Sequence, residues 1–176
     1  MVSEIAHVDE CIREILEKVK QQEDEERVIE IHEQTVQLVV FLLGEKYYAF
    51  HGDHIKEIVP VTDITYVPGM PDYLLGVINV RGEIESVLDL RTVLSLPADA
   101  VTKRSRIAIG QVGEIRSGVL VDSVEDVLEV PEDSIHKPES VIDAVQAEYI
   151  AGEGMYNDHD LLLLDLGTIF AHVLHD

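Results

Sequence analysis

The feature of this 176-residue chain that most restricts its fold is an internal repeat. Adding 69 to positions in the first half sets Leu38 on Ile107, Val40 on Ile109, Gly44 on Gly113 and Phe50 on Val119. The same offset sets Asp53 on Asp122, Ile55 on Val124, Glu57 on Asp126 and Ile58 on Val127. Further on the offset becomes 76 and matches Tyr73 with Tyr149, Leu74 with Ile150, Gly76 with Gly152 and Leu88 with Leu164. It also matches Asp89 with Asp165, Leu90 with Leu166 and Thr92 with Thr168. The seven added residues fit a longer loop around Pro131 to Pro138. Such self-similarity means two copies of one supersecondary unit, here 36–98 and 99–176. A unit of about 60 residues buries only about 60% of its unfolded surface, so the two must pack and share an apolar layer.

Each copy has the texture of strands. Short runs such as Leu38–Leu43, Tyr47–Phe50, Leu74–Val80, Ile107–Ile109, Val119–Val121 and Leu161–Leu164 end at turn signals such as Gly44-Glu45, Arg81-Gly82 and Asp122-Ser123. Runs of this length, rich in Val, Ile, Leu and Tyr, predict an all-β barrel or sandwich. Short helical pieces are expected at Leu90–Leu94 and Leu166–Leu174.

Residues 1–35 differ. They hold 11 acids and 4 bases, with Ile5, Val8, Ile12, Ile15, Leu16 and Val19 at helical spacing. Ser3 is placed to cap this acidic helical extension, and Gln21 to Arg27 interrupts its stripe. Two and a half heptads are too few for an independent coiled coil. The stripe either lies on the protein's own body, or frays, or docks a partner.

Composition excludes several functions. A net charge of −22 opposes nucleic acid and anionic membranes. No stretch of 18 apolar residues and no secretory leader is present, so no membrane insertion is expected. The single cysteine, Cys11, permits no internal disulfide and suits a reducing cytoplasm. His51 with His54, and His172 with His175, lack a third ligand at a recognisable spacing, and Cys11 sits on the helix stripe. Phosphate-loop and nucleophile-elbow motifs are missing. The expectation is a protein with no catalysis, no cofactor and no metal.

Two places stand out. Arg81 is one of 9 bases against 24 acids in residues 36–176, and it sits in the turn Asn79-Val80-Arg81-Gly82. The second copy has Met155-Tyr156-Asn157-Asp158 there, without a cation. A guanidinium between two strands suits bidentate contact with a partner, or internal pairing with Asp89 or Glu57. In Asp89-Leu90-Arg91 the aspartate is placed to cap a short helix and the arginine to pair locally; Gly44 is read as a turn residue.

These segments resemble the CheW family, the adaptor that couples chemoreceptors to the histidine kinase CheA. The resemblance is carried by Phe41–Phe50, Ile55–Ile58, Val67–Pro71, Tyr73–Gly82, Val87–Arg91, Gly118–Val124 and Leu162–Leu166. It implies two packed five-stranded SH3-like barrels, no catalysis, and a cytoplasmic protein held at receptor arrays by its partners. Those partners would be the cytoplasmic tip of a methyl-accepting chemoreceptor and the regulatory domain of CheA. Carried over by motif, the receptor groove would use Ile55, Gly76 and Arg81, with Glu57 and Gly82 adjoining. Two departures suggest a specialised copy: Ile84-Glu85-Ser86-Val87 places a charge and a hydroxyl where the family has apolar residues and proline, and the acidic extension is long. The alternative is a CheW-like module of another chemosensory or motility pathway, recruiting its client through residues 4–31.

Overall fold

The computed structural model describes residues 12–21, 34–139 and 143–173. It divides into Met1–Gln34 and Thr35–Asp176. In the first unit residues 12–21 form helix α1, with Ile12, Ile15, Leu16 and Val19 exposed. Ser3, Ile5, Val8, Cys11, residues 22–27 and His175, all named above, lie outside the described residues.

The second unit is built from ten strands. In chain order they are β1 (Thr35–Leu43), β2 (Lys46–His51), β3 (Ile55–Pro60), β4 (Leu74–Val80) and β5 (Glu83–Asp89), then β6 (Arg106–Val112), β7 (Ile115–Val121), β8 (Ser123–Pro131), β9 (Ile150–Tyr156) and β10 (His159–Leu164). Helices α2 (Leu90–Val93), α3 (Ala144–Ala147) and α4 (Leu166–Val173) are short. The strands form two five-stranded sheets, ordered β8-β1-β2-β10-β9 and β3-β6-β7-β5-β4, each the sheet of one SH3-like barrel.

The repeat carries β1–β5 onto β6–β10, and that operation turns the first sheet order into the second. Each barrel therefore takes two strands from one copy and three from the other. The expected division at 98/99 separates the copies but not the barrels. The connections give the reason. Only Asp122 lies between β7 and β8, too few residues for a hairpin back into the same sheet. The chain bends there and crosses to the other sheet. After β2, the 3-10 turn Gly52–His54 likewise sends β3 to pair with β6. Two parallel pairs, β2 with β10 and β5 with β7, join the copies inside each sheet. The additional residues of the second copy include the 3-10 turn Glu132–Ser134 and α3, capped by Asp143.

Apolar residues on both faces of the central strands fill three layers. Leu38, Val40, Ala49, Leu161 and Leu163 fill one barrel; Ile78, Val80, Val87, Ile107 and Ile109 fill the other. Between them lie Phe41, Tyr48, Phe50, Leu88, Val119, Leu162 and Leu164, closed over by Leu90, Leu94, Leu166 and Phe170 of the short helices. Each Val, Leu, Ile or Phe among them contributes about 1.5–3 kcal/mol when fully buried. Gly110 lets α4 approach β6, since a Cβ there would lie 2.5 Å from Leu166 Cδ2.

One polar network ties the middle layer together. Asp89 caps α2, accepting from Arg91 N at 3.1 Å and Thr92 Oγ1 at 2.8 Å. Arg91, 9% exposed, grips Asp122 with both Nε and Nη2 and donates Nη1 to Pro97 O. Asp122 in turn accepts from Gly44 N at 2.7 Å in the β1–β2 turn. Gly44, Asp89 and Arg91 thus meet through Asp122, the residue where the chain changes sheets. Asp122→Ala leaves the buried guanidinium only the exposed Asp99 carboxylate, 3.5 Å from Nη2, and should cost about 3 kcal/mol, read as a lowered urea midpoint at unchanged slope. Asp122→Asn, which keeps one acceptor, should cost less.

Candidate partner-binding site

The β4–β5 hairpin pairs Val80 with Glu83 and leaves Arg81-Gly82 as a two-residue loop. Both residues have positive φ, 52° and 88°, as a type I′ turn requires. Its counterpart, Asn157-Asp158, does the same at 47° and 63° with residues that tolerate this region. Arginine has no local hydrogen bond to ease the conformation, and it holds this position at a cost of about 1–2 kcal/mol. Asn79 Oδ1 braces the turn by accepting from Gly82 N at 2.8 Å.

Arg81 is 82% exposed along its side chain, and its Nη2 lies 2.8 Å from Glu57 Oε1. Glu57 stands on β3 and Arg81 follows β4, the two edge strands of one sheet. The pair therefore spans the seam of that barrel. An ion pair so exposed adds little stability; its effect is to aim the guanidinium.

The other expected groove residues fall elsewhere. Ile55 and Glu57 would share a face by strand alternation, but Ile55 pairs with Gly110 and Glu57 with Ile109, a bulge of one residue. The bulge puts them on opposite faces, and Ile55 packs against the central layer. Gly76 is buried at φ 144°. A Cβ there would lie 2.2 Å from Thr65 O, because Thr65 exchanges hydrogen bonds of 2.8 and 2.9 Å with Val77. Glycine is demanded here by the protein's own backbone. The structure brings together Glu57, Arg81 and Gly82.

Sequence reasoning missed Ile84 and Tyr66, exposed at 66% and 67%. On β5 the expected polarity is reversed. Glu85 is buried, 2.7 Å from Arg116 Nε, while Ile84 faces out. Ser86 Oγ meets Ser117 Oγ at 2.8 Å across the β5–β7 pair. The charge and hydroxyl that depart from the family pattern are thus turned to partners inside the chain, and an apolar side chain is presented instead. Hydrophobicity ranks Ile84 as core, and its alternation with the buried Leu88 points the same way, so neither signal reveals its exposure.

The counterpart of Glu57, Asp126, accepts from Tyr156 Oη at 3.3 Å. Desolvation, and then the Asp126 charge and hydrogen bond, raise the Tyr156 pKa, so the phenol stays a donor. The His51 and His54 rings meet edge to face at 6.0 Å, and His172 Nδ1 lies 3.6 Å from Glu148. Among the described residues no three His, Cys, Asp or Glu side chains gather as a metal site, and no helix is long and apolar enough to cross a membrane.

Gly76→Ala should destabilise by more than about 2 kcal/mol, combining a glycine-only φ with a backbone clash. Gly82→Ala, with open space around its Cβ, should cost about 1 kcal/mol. Paired urea titrations distinguish the two.

The CheW-like domain family model matches residues 37–174. Over 145 residues the chain is 29% identical to the chemotaxis protein CheW of Treponema pallidum, covering 80% of this chain and 85% of that one. To the Bacillus subtilis chemotaxis protein CheW it is 39% identical over 105 residues, 59% of this chain and 67% of the relative. The crystal structure of the scaffolding protein TtCheW from Thermoanaerobacter tengcongensis superposes with a TM-score of 0.68 at 30% identity, covering 76% of this chain and 90% of that one.

Proposed function

The chain belongs to the CheW-like family, and from that premise we propose that it is a non-enzymatic scaffold coupling chemoreceptors to the histidine kinase CheA. One face receives the cytoplasmic tip of a receptor hairpin; the barrel ends meet the regulatory domain of the kinase. The chain stays in the cytoplasm and joins membrane-bound arrays through these partners. The observation that carries the reading is Arg81, held on a braced hairpin, exposed, and aimed by Glu57 across the barrel seam. Ile84 supplies the apolar surface beside it. A helix crossing this corner buries Ile84 and offers Arg81 a carboxylate or the carbonyls of a helix end. Gly82 leaves room for its backbone.

A second reading rests on α1, whose exposed Ile12, Ile15, Leu16 and Val19 form an apolar stripe. Here the body is still a CheW-like module, and the extension recruits a client of a different chemosensory or motility pathway.

Titration of a labelled receptor-tip hairpin should show affinity falling about tenfold for Arg81→Ala and for Ile84→Glu, each about 1.4 kcal/mol, with the fold unchanged. Unaltered binding by both variants contradicts the assigned corner. Deletion of residues 1–34 separates the two readings: binding and array localisation both survive under the first, while localisation alone is lost under the second.

A further inference from the structure

β9 is the edge strand of its sheet, in the barrel that lacks the Glu57–Arg81 pair. Its outer edge is covered at Glu153, which exchanges two hydrogen bonds of 2.8 Å with His136. In an antiparallel ladder, backbone groups of residues two apart point the same way. The β9–β10 register runs without a shift from Glu153 through Met155, so the N–H and C=O of Met155 also face outward. Among the described residues no backbone group meets them. The covering segment runs antiparallel to β9, so Ser134 stands across from Met155, and it belongs to the 3-10 turn Glu132–Ser134 rather than to a strand that would continue the pairing.

The vacated strand position is a groove. A cavity of about 540 Å³ lies between the end of β8, at Val130 and Pro131, and the edge of β9, at Gly154 and Met155. Met155 is 63% exposed. The wall carries Glu139 and Asp160 against Lys137, within a body of 24 acids and 9 bases. The seam of the other barrel is bridged by Arg81 and Glu57; Asn157 stands at the place of Arg81 here.

We propose that this groove takes an extended segment of a partner protein, one with an apolar side chain flanked by Lys or Arg. The segment pairs with Met155 as an added strand, sets its apolar side chain between Pro131 and Met155, and places its basic residues against Glu139 and Asp160. Unpaired backbone donors and acceptors select a strand over a helix. Charge selects a basic partner over a second copy, because the exposed edge strand β8 carries Glu125, Asp126 and Glu129. The groove and the Arg81 corner are on different barrels, so each is tested without the other.

The probe is the peptide Lys-Ile-Lys-Ile-Lys, alongside a copy of equal charge N-methylated on alternate residues, titrated into the isotopically labelled full chain. The unmodified peptide should shift the amides of Glu153 and Met155 and bind at least about tenfold more tightly than the methylated one. Met155→Pro, which removes an N–H that β10 does not use, should erase that difference, and Asp160→Lys should weaken binding several-fold. Equal binding of the two peptides, shifts confined to other strands, or self-association through this groove would each overturn the proposal. The comparison of peptides needs no variant, so a Met155→Pro chain that fails to fold leaves the test intact.

Discussion

The structure depends on strands that are apolar on both faces. Tyr48 and Phe50 of β2 bury into the middle layer while Ala49 between them buries into a barrel. Leu161 to Leu164 of β10 divide in the same way, two to each layer. Val119 and Val121 of β7 face the middle, and Leu120 faces the other barrel. A lone sheet with this composition would expose one full apolar face to water, so the two sheets must be built against each other. Strand exchange makes that obligation covalent. A single residue between β7 and β8 cannot return the chain to its own sheet, and both barrels close only when both copies contribute.

On this frame the copies differ where a binding protein needs them to. The bulges recur in both, at Glu57 and Asp126 and at Gly76 and Gly152. So do the caps: Asp89 and Asp165 each accept from a threonine hydroxyl in the helix that follows. The charges do not recur. Arg81 faces Glu57 on one barrel, while a tyrosine and an aspartate meet on the other. Arg91 has its place taken by Gly167 in the second copy. Duplication supplies two similar seams, one bridged by a guanidinium and the other by a phenol with a groove beside it.

Much of this was legible in the sequence. The repeat, the strand runs, the two-residue turns and the Asp89 cap are local or periodic signals, and each follows from backbone geometry that acts within a few residues. Strand exchange was not legible, because a repeat says which segments are alike and not which copy each will pair with. Nor were the faces of Ile55 and Glu57, since one bulge inverts an alternation that sequence can only assume. Glu85 reads as exposed until Arg116 is brought beside it from 31 residues away, and its burial is what turns Ile84 outward. Asp122 reads as a turn residue, and its grip on Arg91 depends on that same long-range pairing.

The central claim, that two copies complete one another's barrels, is tested most directly by cutting the chain between residues 98 and 99. Amide exchange of the two fragments, separate and mixed, is the measurement. Neither fragment alone should show protected strands, and mixing should restore slow exchange in β1, β2, β6 and β7 together. A fragment that protects its own strands without its complement would show that each copy is a barrel in its own right, and would contradict the account.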